Sequence, residues 1–168
     1  MTLEQLVIKE EGILHTVGLL KGTMEQRDDD LQNSGVYEEY KSIHLEYLDY
    51  ADTDIEAMKS ALFLQWYALV EPSSYTGINE IDKDAAERVM NLTLDIIRNN
   101  LADDELKWML QHYLEWEYIF EDFEAYENLN NFFADKNHRL PKSIDKELMI
   151  KRGQMGKYWC SINFDDAL

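Results

Sequence analysis

Apolar residues recur at helical spacing along most of the chain. Val36, Tyr40, Ile43, Tyr47 and Tyr50 step by four, three, four and three, which is one stripe of an amphipathic helix. Glu38, Glu39, Glu46 and Asp49 fall largely away from that stripe. Ala85, Val89, Leu92 and Ile96 make a second stripe, and Met109, Tyr113, Trp116, Phe120 and Phe123 a third. Between the first two, about Asp54 to Glu71, the pattern changes. From Ala61 to Val70 it is apolar nearly all round, which predicts a central helix covered on most sides. Leu62, Trp66 and Leu69 lie on one side of it and Phe63, Tyr67 and Val70 on another, and most of these six are expected to be buried. Near the start, Leu3, Leu6, Val7, Glu10 and Leu14 follow near-helical spacing, with a break expected between Gly18 and Gly22. No alternating strand pattern stands out.

Start and stop signals punctuate these stretches. Thr2-x-x-Gln5, Thr23-x-x-Gln26, Thr53-x-x-Glu56 and Asp84-x-x-Glu87 read as capping boxes, and Asp103-Asp104-Glu105 opens a helix with charges its dipole favours. Asn33-Ser34-Gly35, Pro72-Ser73-Ser74 and Asn99-Asn100 read as stops. The helix opened at Asp103 ends near Tyr118 or runs on through Phe133. Pro141 sets off a C-terminal piece with a short helix over about Ser143 to Lys151, after which Gly153 and Gly156 are expected to loosen the chain. Leu64-Gln65-Trp66-Tyr67 and Leu110-Gln111-His112-Tyr113 share three of four residues, so a helical-hairpin array stands beside a single irregular bundle. The expected fold is all-α, one domain over 1–168 with about six or seven helices and 136–168 packing on or beside the rest.

Composition narrows the function classes. Thirty-four Asp and Glu stand against 16 Lys and Arg, a net charge of −18, which argues against direct nucleic-acid binding or an anionic membrane. The longest apolar run, Ala61 to Val70 around Gln65, falls short of the roughly 20 residues a bilayer needs. One cysteine, Cys160, suits a reducing cytoplasm, and Met1 to Glu11 has neither the basic nor the apolar region of a signal peptide.

No motif carries catalysis. None of His15, His44, His112 and His138 has a Glu three residues before it, and the acid–His pairs present are what so acidic a chain produces by chance. Phosphate-binding glycine loops and nucleophile elbows are absent, and Gly153-Gln-Met-Gly156 has the wrong spacing. The expectation is no catalytic residue, no metal and no cofactor.

The acid–aromatic mixture is the distinctive feature. Asp103 to Glu127 holds nine acids and one base among Trp108, Tyr113, Trp116, Tyr118, Phe120, Phe123 and Tyr126. On a continuous helix Glu117, Glu121 and Glu124 would share one track, with Tyr118 and Asp122 beside it. A second stretch, Glu25 to Asp54, has ten acids, two bases and Tyr37, Tyr40, Tyr47 and Tyr50. By contrast, Lys136 to Lys157 carries seven bases against two acids, a net of +5 that leaves the remainder at −23. The basic segment is expected to fold back on an acidic face through Arg139, Lys151 or Arg152, or else to hold an anion with them. In composition alone the chain resembles the small acidic immunity proteins that neutralise bacterial nuclease toxins. The leading expectation is a non-enzymatic protein that binds a basic protein through Glu115, Glu117, Tyr118, Glu121, Asp122, Glu124 and Tyr126, as a toxin-neutralising or DNA-mimicking inhibitor. The alternatives are a helical enzyme or ligand-binding protein with a pocket around Trp66, His112 and Trp116, and a scaffold with no small-molecule site.

Overall fold

Two reciprocal capping boxes set the first two helix starts. Thr2 accepts from the Gln5 N–H and its own N–H donates to Gln5 Oε1, and Thr23 and Gln26 repeat the exchange. The computed structural model describes residues 1–116, 118–134, 140–162 and 164. Among these the chain is all-α, with ten helices and no strand. They are α1 (Leu3–Leu19), α2 (Met24–Ser34), α3 (Val36–Ala51), α4 (Ile55–Val70), α5 (Ser73–Thr76), α6 (Lys83–Arg98), α7 (Asp104–Leu114), α8 (Tyr126–Ala134), α9 (Lys146–Met149) and α10 (Gly153–Ser161). Eight have nine residues or more, slightly above the number the periodicity suggested.

Two other starts differ from the expected boxes. Thr53 turns its hydroxyl back to the Tyr50 carbonyl of α3, so Asp54 caps α4 by accepting from Glu56 and Ala57 N–H. Asp82 reaches the Ala85 N–H, so α6 begins before Asp84, which sits in its first turn.

Helix α4 is central and packs against α3, α6 and α10, while α1 closes on α3 and α10. Every residue from Ala57 to Trp66 is buried. Of the six residues expected in the core, Leu62, Phe63 and Trp66 are fully buried and Tyr67 and Val70 half-buried. Leu69 is instead 52% exposed, because the last turn of α4 runs out past its neighbours to the rim of a cleft. The tyrosines of the second acidic stretch also turn inward: Tyr37, Tyr40 and Tyr47 are buried in the core. The two similar quartets meet where α4 and α7 face each other, with Trp66 stacked on Tyr113 at 4.6 Å between ring centroids.

The glycines of the C-terminal piece do the opposite of what was expected. They open α10 rather than loosening the chain. Gly153 takes the left-handed conformation at φ 61°, and a Cβ there would lie 2.3 Å from Glu10 Oε2. A Cβ on Gly156 would lie 1.9 Å from the Met149 carbonyl oxygen. Both positions are bare so that α1 and α9 can approach the α10 backbone.

Leu62→Ala should destabilise the protein by about 2–5 kcal/mol in urea denaturation. Leu69→Ala, two turns on at the same helix face, should cost less than about 0.5 kcal/mol. Equal losses would mean that the end of α4 is buried.

Candidate functional site

Helix α7 ends at Leu114, and α8 begins only at Tyr126. The helix thus stops a little before the earlier of its two expected ends, near Tyr118, and the acids that a continuous helix would have put on one track lie in a turn-rich segment. Like charges at helical spacing would repel there. Instead, turns close from Ile119 N–H to Trp116 O and from Phe123 N–H to Phe120 O. Phe120 and Ala125 drop into the core and pin the segment. Tyr118 sits in the left-handed region at φ 79°, a conformation non-glycine residues adopt at some cost.

This backbone turns aromatic rings outward. Tyr118 is 76% exposed and Trp116 is 50% exposed, the latter edge-on to Trp66. Glu115, Glu121, Asp122 and Glu124 are exposed around them and form no ion pair among the described residues. Tyr126 is half-buried at the start of α8. Glu117 lies outside the described residues. A hydrogen bond from the Glu124 N–H to Glu87 Oε1 ties the segment to α6.

Of the basic segment, Arg152 meets acids of the body. Arg152, between α9 and α10, pairs with Glu56 of α4, and its Nη1 lies 2.9 Å from Glu105 Oε2 of α7. Those carboxylates also hold Lys59, whose side chain is only 1% exposed. Its Nζ lies 2.8 Å from Glu56, 2.7 Å from Asp103 and 2.6 Å from Glu105. Burial works against the ammonium, but the three carboxylates outweigh it and hold the Lys59 pKa above its ordinary value. Asp103 is likewise desolvated, yet its bond from Lys59 holds its pKa below the usual range. Glu56, Asp103 and Glu105 bring carboxylate oxygens within 4.8 Å of one another, a spacing that suits a metal ion. Here Lys59 and Arg152 supply the positive charge. An anion at Arg152 would have to displace one of these acids. Lys151 is exposed, and Arg139 lies outside the described residues.

Trp66, His112 and Trp116 do come together, with ring centroids 5.7 Å apart for the first pair and 6.2 Å for Trp66 and Trp116. They meet edge-on in one cluster with Tyr158, whose hydroxyl lies 2.7 Å from His112 Nε2. An open cleft lies elsewhere, between the end of α4, the start of α6 and the 119–123 turn.

A further acid was legible only as a charge within an apolar stripe. Glu10 is buried, accepting from the Tyr47 hydroxyl at 2.6 Å and from the Gln154 N–H at 2.8 Å. Burial raises its pKa to about 7, against the pull of those two donors. Buried His44 is pushed down to about 4 by desolvation, with Asp82 opposing.

Compared with known protein families, characterised proteins and solved structures, the chain matches none. Among the described residues no helix is long and apolar enough to cross a membrane.

Two outcomes follow. Lys59→Met leaves three carboxylates facing one another and should cost about 3–5 kcal/mol in urea denaturation. Arg152→Gln should cost less, and less again at high salt, since its pair with Glu56 is partly open to water. A Lys59→Met loss no larger than that of Arg152→Gln would show that the ammonium is not the centre of the cluster.

The other outcome concerns pH. Glu10 binds its proton more tightly folded, at about 7, than at its ordinary 4.5, so its contribution is complete below about pH 4.5 and is lost as pH rises through 7. His44 has the reverse sign: its contribution is complete above about pH 6.5 and lost as pH falls through 4. The two largely offset each other in between. Glu10→Gln removes one side, so its stability relative to wild type should grow by about 3 kcal/mol between pH 4.5 and 7.5. A difference independent of pH would show that Glu10 is not held in a desolvated site.

Proposed function

We propose that this chain is a non-enzymatic acidic docking protein that takes a basic protein partner on the 115–126 segment. One observation carries the reading: Trp116 and Tyr118 are turned out to water in the midst of exposed, unpaired acids. Large aromatic rings are normally drawn into a core, and a strained backbone that presents one outward is a feature of functional segments. Carboxylates around such rings steer a basic surface in from a distance, and the rings supply the short-range anchors.

A toxin-neutralising or DNA-mimicking inhibitor is the specific form of this function. The single, half-buried Cys160 suits a cytoplasmic setting for it. The enzyme reading loses support because Trp66, His112 and Trp116 fill the space between them.

The test is capture of partners at low and high salt, followed by kinetics on the purified pair. Glu115→Gln, Glu121→Gln and Glu124→Gln together should slow association about tenfold and flatten its salt dependence. Tyr118→Ala should leave association nearly unchanged and speed dissociation by roughly tenfold or more. A partner whose binding ignores salt, these acids and Tyr118 would remove the basis of this function.

A further inference from the structure

Beside the docking segment runs an open cleft of about 880 Å³. Its apolar walls are Ala68 and Leu69 at the end of α4, Ile81 before α6, and Ile119 and Phe123 from the turn segment. Gln65 lines it from α4. That residue is 1% exposed, and neither Oε1 nor Nε2 has a hydrogen-bond partner among the described residues. Buried polar groups are nearly always paired, because an unpaired amide keeps its desolvation penalty with nothing in return. Lys59 and Glu10 are satisfied within the chain, while Tyr40, His44, Trp66, Ser74 and Gln154 also keep a buried polar atom unpaired among the described residues but do not line the cleft. Gln65 is different because it adjoins an open cleft.

The chemistry of the lining selects an occupant. A primary amide offers a donor and an acceptor side by side, the complement of a peptide C=O and N–H. Glu80, Asp84 and Asp122 stand at the cleft without an ion pair among the described residues, against Lys41 and Lys83. Asp82 and Glu87 also line it, so its net charge is negative even though Asp82 caps α6 and Glu87 holds the Glu124 N–H. Apolar walls beneath an acidic rim fit an extended segment whose side chains alternate between apolar and basic.

We propose that this cleft binds an extended basic segment of the partner, with the Gln65 amide hydrogen-bonded to its backbone and Glu80, Asp84 and Asp122 pairing its Lys or Arg side chains. The proposal rests on the docking function above and names the second contact of the same partner. Trp116 and Tyr118 do not line the cleft, so the two contacts can be broken separately.

The probe is a blocked, fluorescein-labelled octapeptide of alternating Leu and Arg, titrated with the full chain by fluorescence anisotropy. Wild type should bind it, more weakly as salt rises. Gln65→Leu should weaken binding about tenfold while raising the melting temperature by a few degrees, since leucine removes the unpaired amide. A Gln65 with a merely structural role would change stability and leave affinity untouched. Glu80→Gln with Asp84→Asn should weaken binding and flatten its salt dependence. N-methylating alternate peptide bonds should weaken binding to wild type but add little loss in Gln65→Leu.

Several results overturn the proposal. One is no binding. Others are equal binding of the Leu–Glu counterpart, or complete competition by free arginine amide at the same concentration, which would make the cleft a small-cation site. Octapeptide binding that is lost in Tyr118→Ala and unchanged in Gln65→Leu overturns the cleft while sparing the docking segment. Binding lost in Gln65→Leu but kept in Tyr118→Ala supports the cleft, whatever becomes of the segment.

Discussion

A lysine ammonium placed inside a protein must be surrounded by acceptors or give up its proton. Lys59 lies near the start of the buried run of α4, so this condition falls on the central helix. It is met from two directions: Glu56 from α4 itself, and Asp103 and Glu105 from the start of α7. Arg152 then joins the same carboxylates and brings in the junction of α9 and α10. The start of α7 and the C-terminal helices are thus tied to the core by charge as well as by apolar contact. The cluster is also directional, which packing of apolar side chains alone is not.

That arrangement has a consequence for the surface. Lys59 and Arg152 are two of 16 cations, and they are engaged with three acids at one place. The other 31 acids still outnumber the other 14 cations by more than two to one. On the 115–126 segment Glu115, Glu121, Asp122 and Glu124 face water, and there Trp116 and Tyr118 do too. That combination of a negative field and exposed rings is what the proposed docking to a basic protein rests on. The cleft next to it has apolar walls and an orphan amide, so steering and specific recognition can occupy neighbouring positions on one side of the molecule.

The polar residues inside α4 illustrate two fates of a buried donor. Lys59 is saturated by its own chain, and Gln65 is not. The first stabilises a unique packing. The second leaves the free protein less stable than a leucine at that place would.

Much of the helical organisation was legible in the sequence because its causes are local. A stripe on α3 or α6, and a capping box at Thr2 or Thr23, involves residues three or four positions apart, and such contacts form wherever the helix forms. The all-α class, the central position of α4, the start of α7 at Asp103 and the mixture of acids and aromatics after it all follow from such patterns. What only the tertiary structure decided depends on distant partners. Glu105 reaches Lys59 from 46 positions away, and the Gln154 N–H reaches Glu10 from 144. Gly153 and Gly156 read as loosening agents until the groups that crowd them are in place. The outward turn of Tyr118 and the end of α7 at Leu114 depend on Phe120 and Ala125 finding space in the core. Helical periodicity marks which face of a segment is apolar, but whether a charge or amide within it will be paired is settled by what the rest of the chain brings against it.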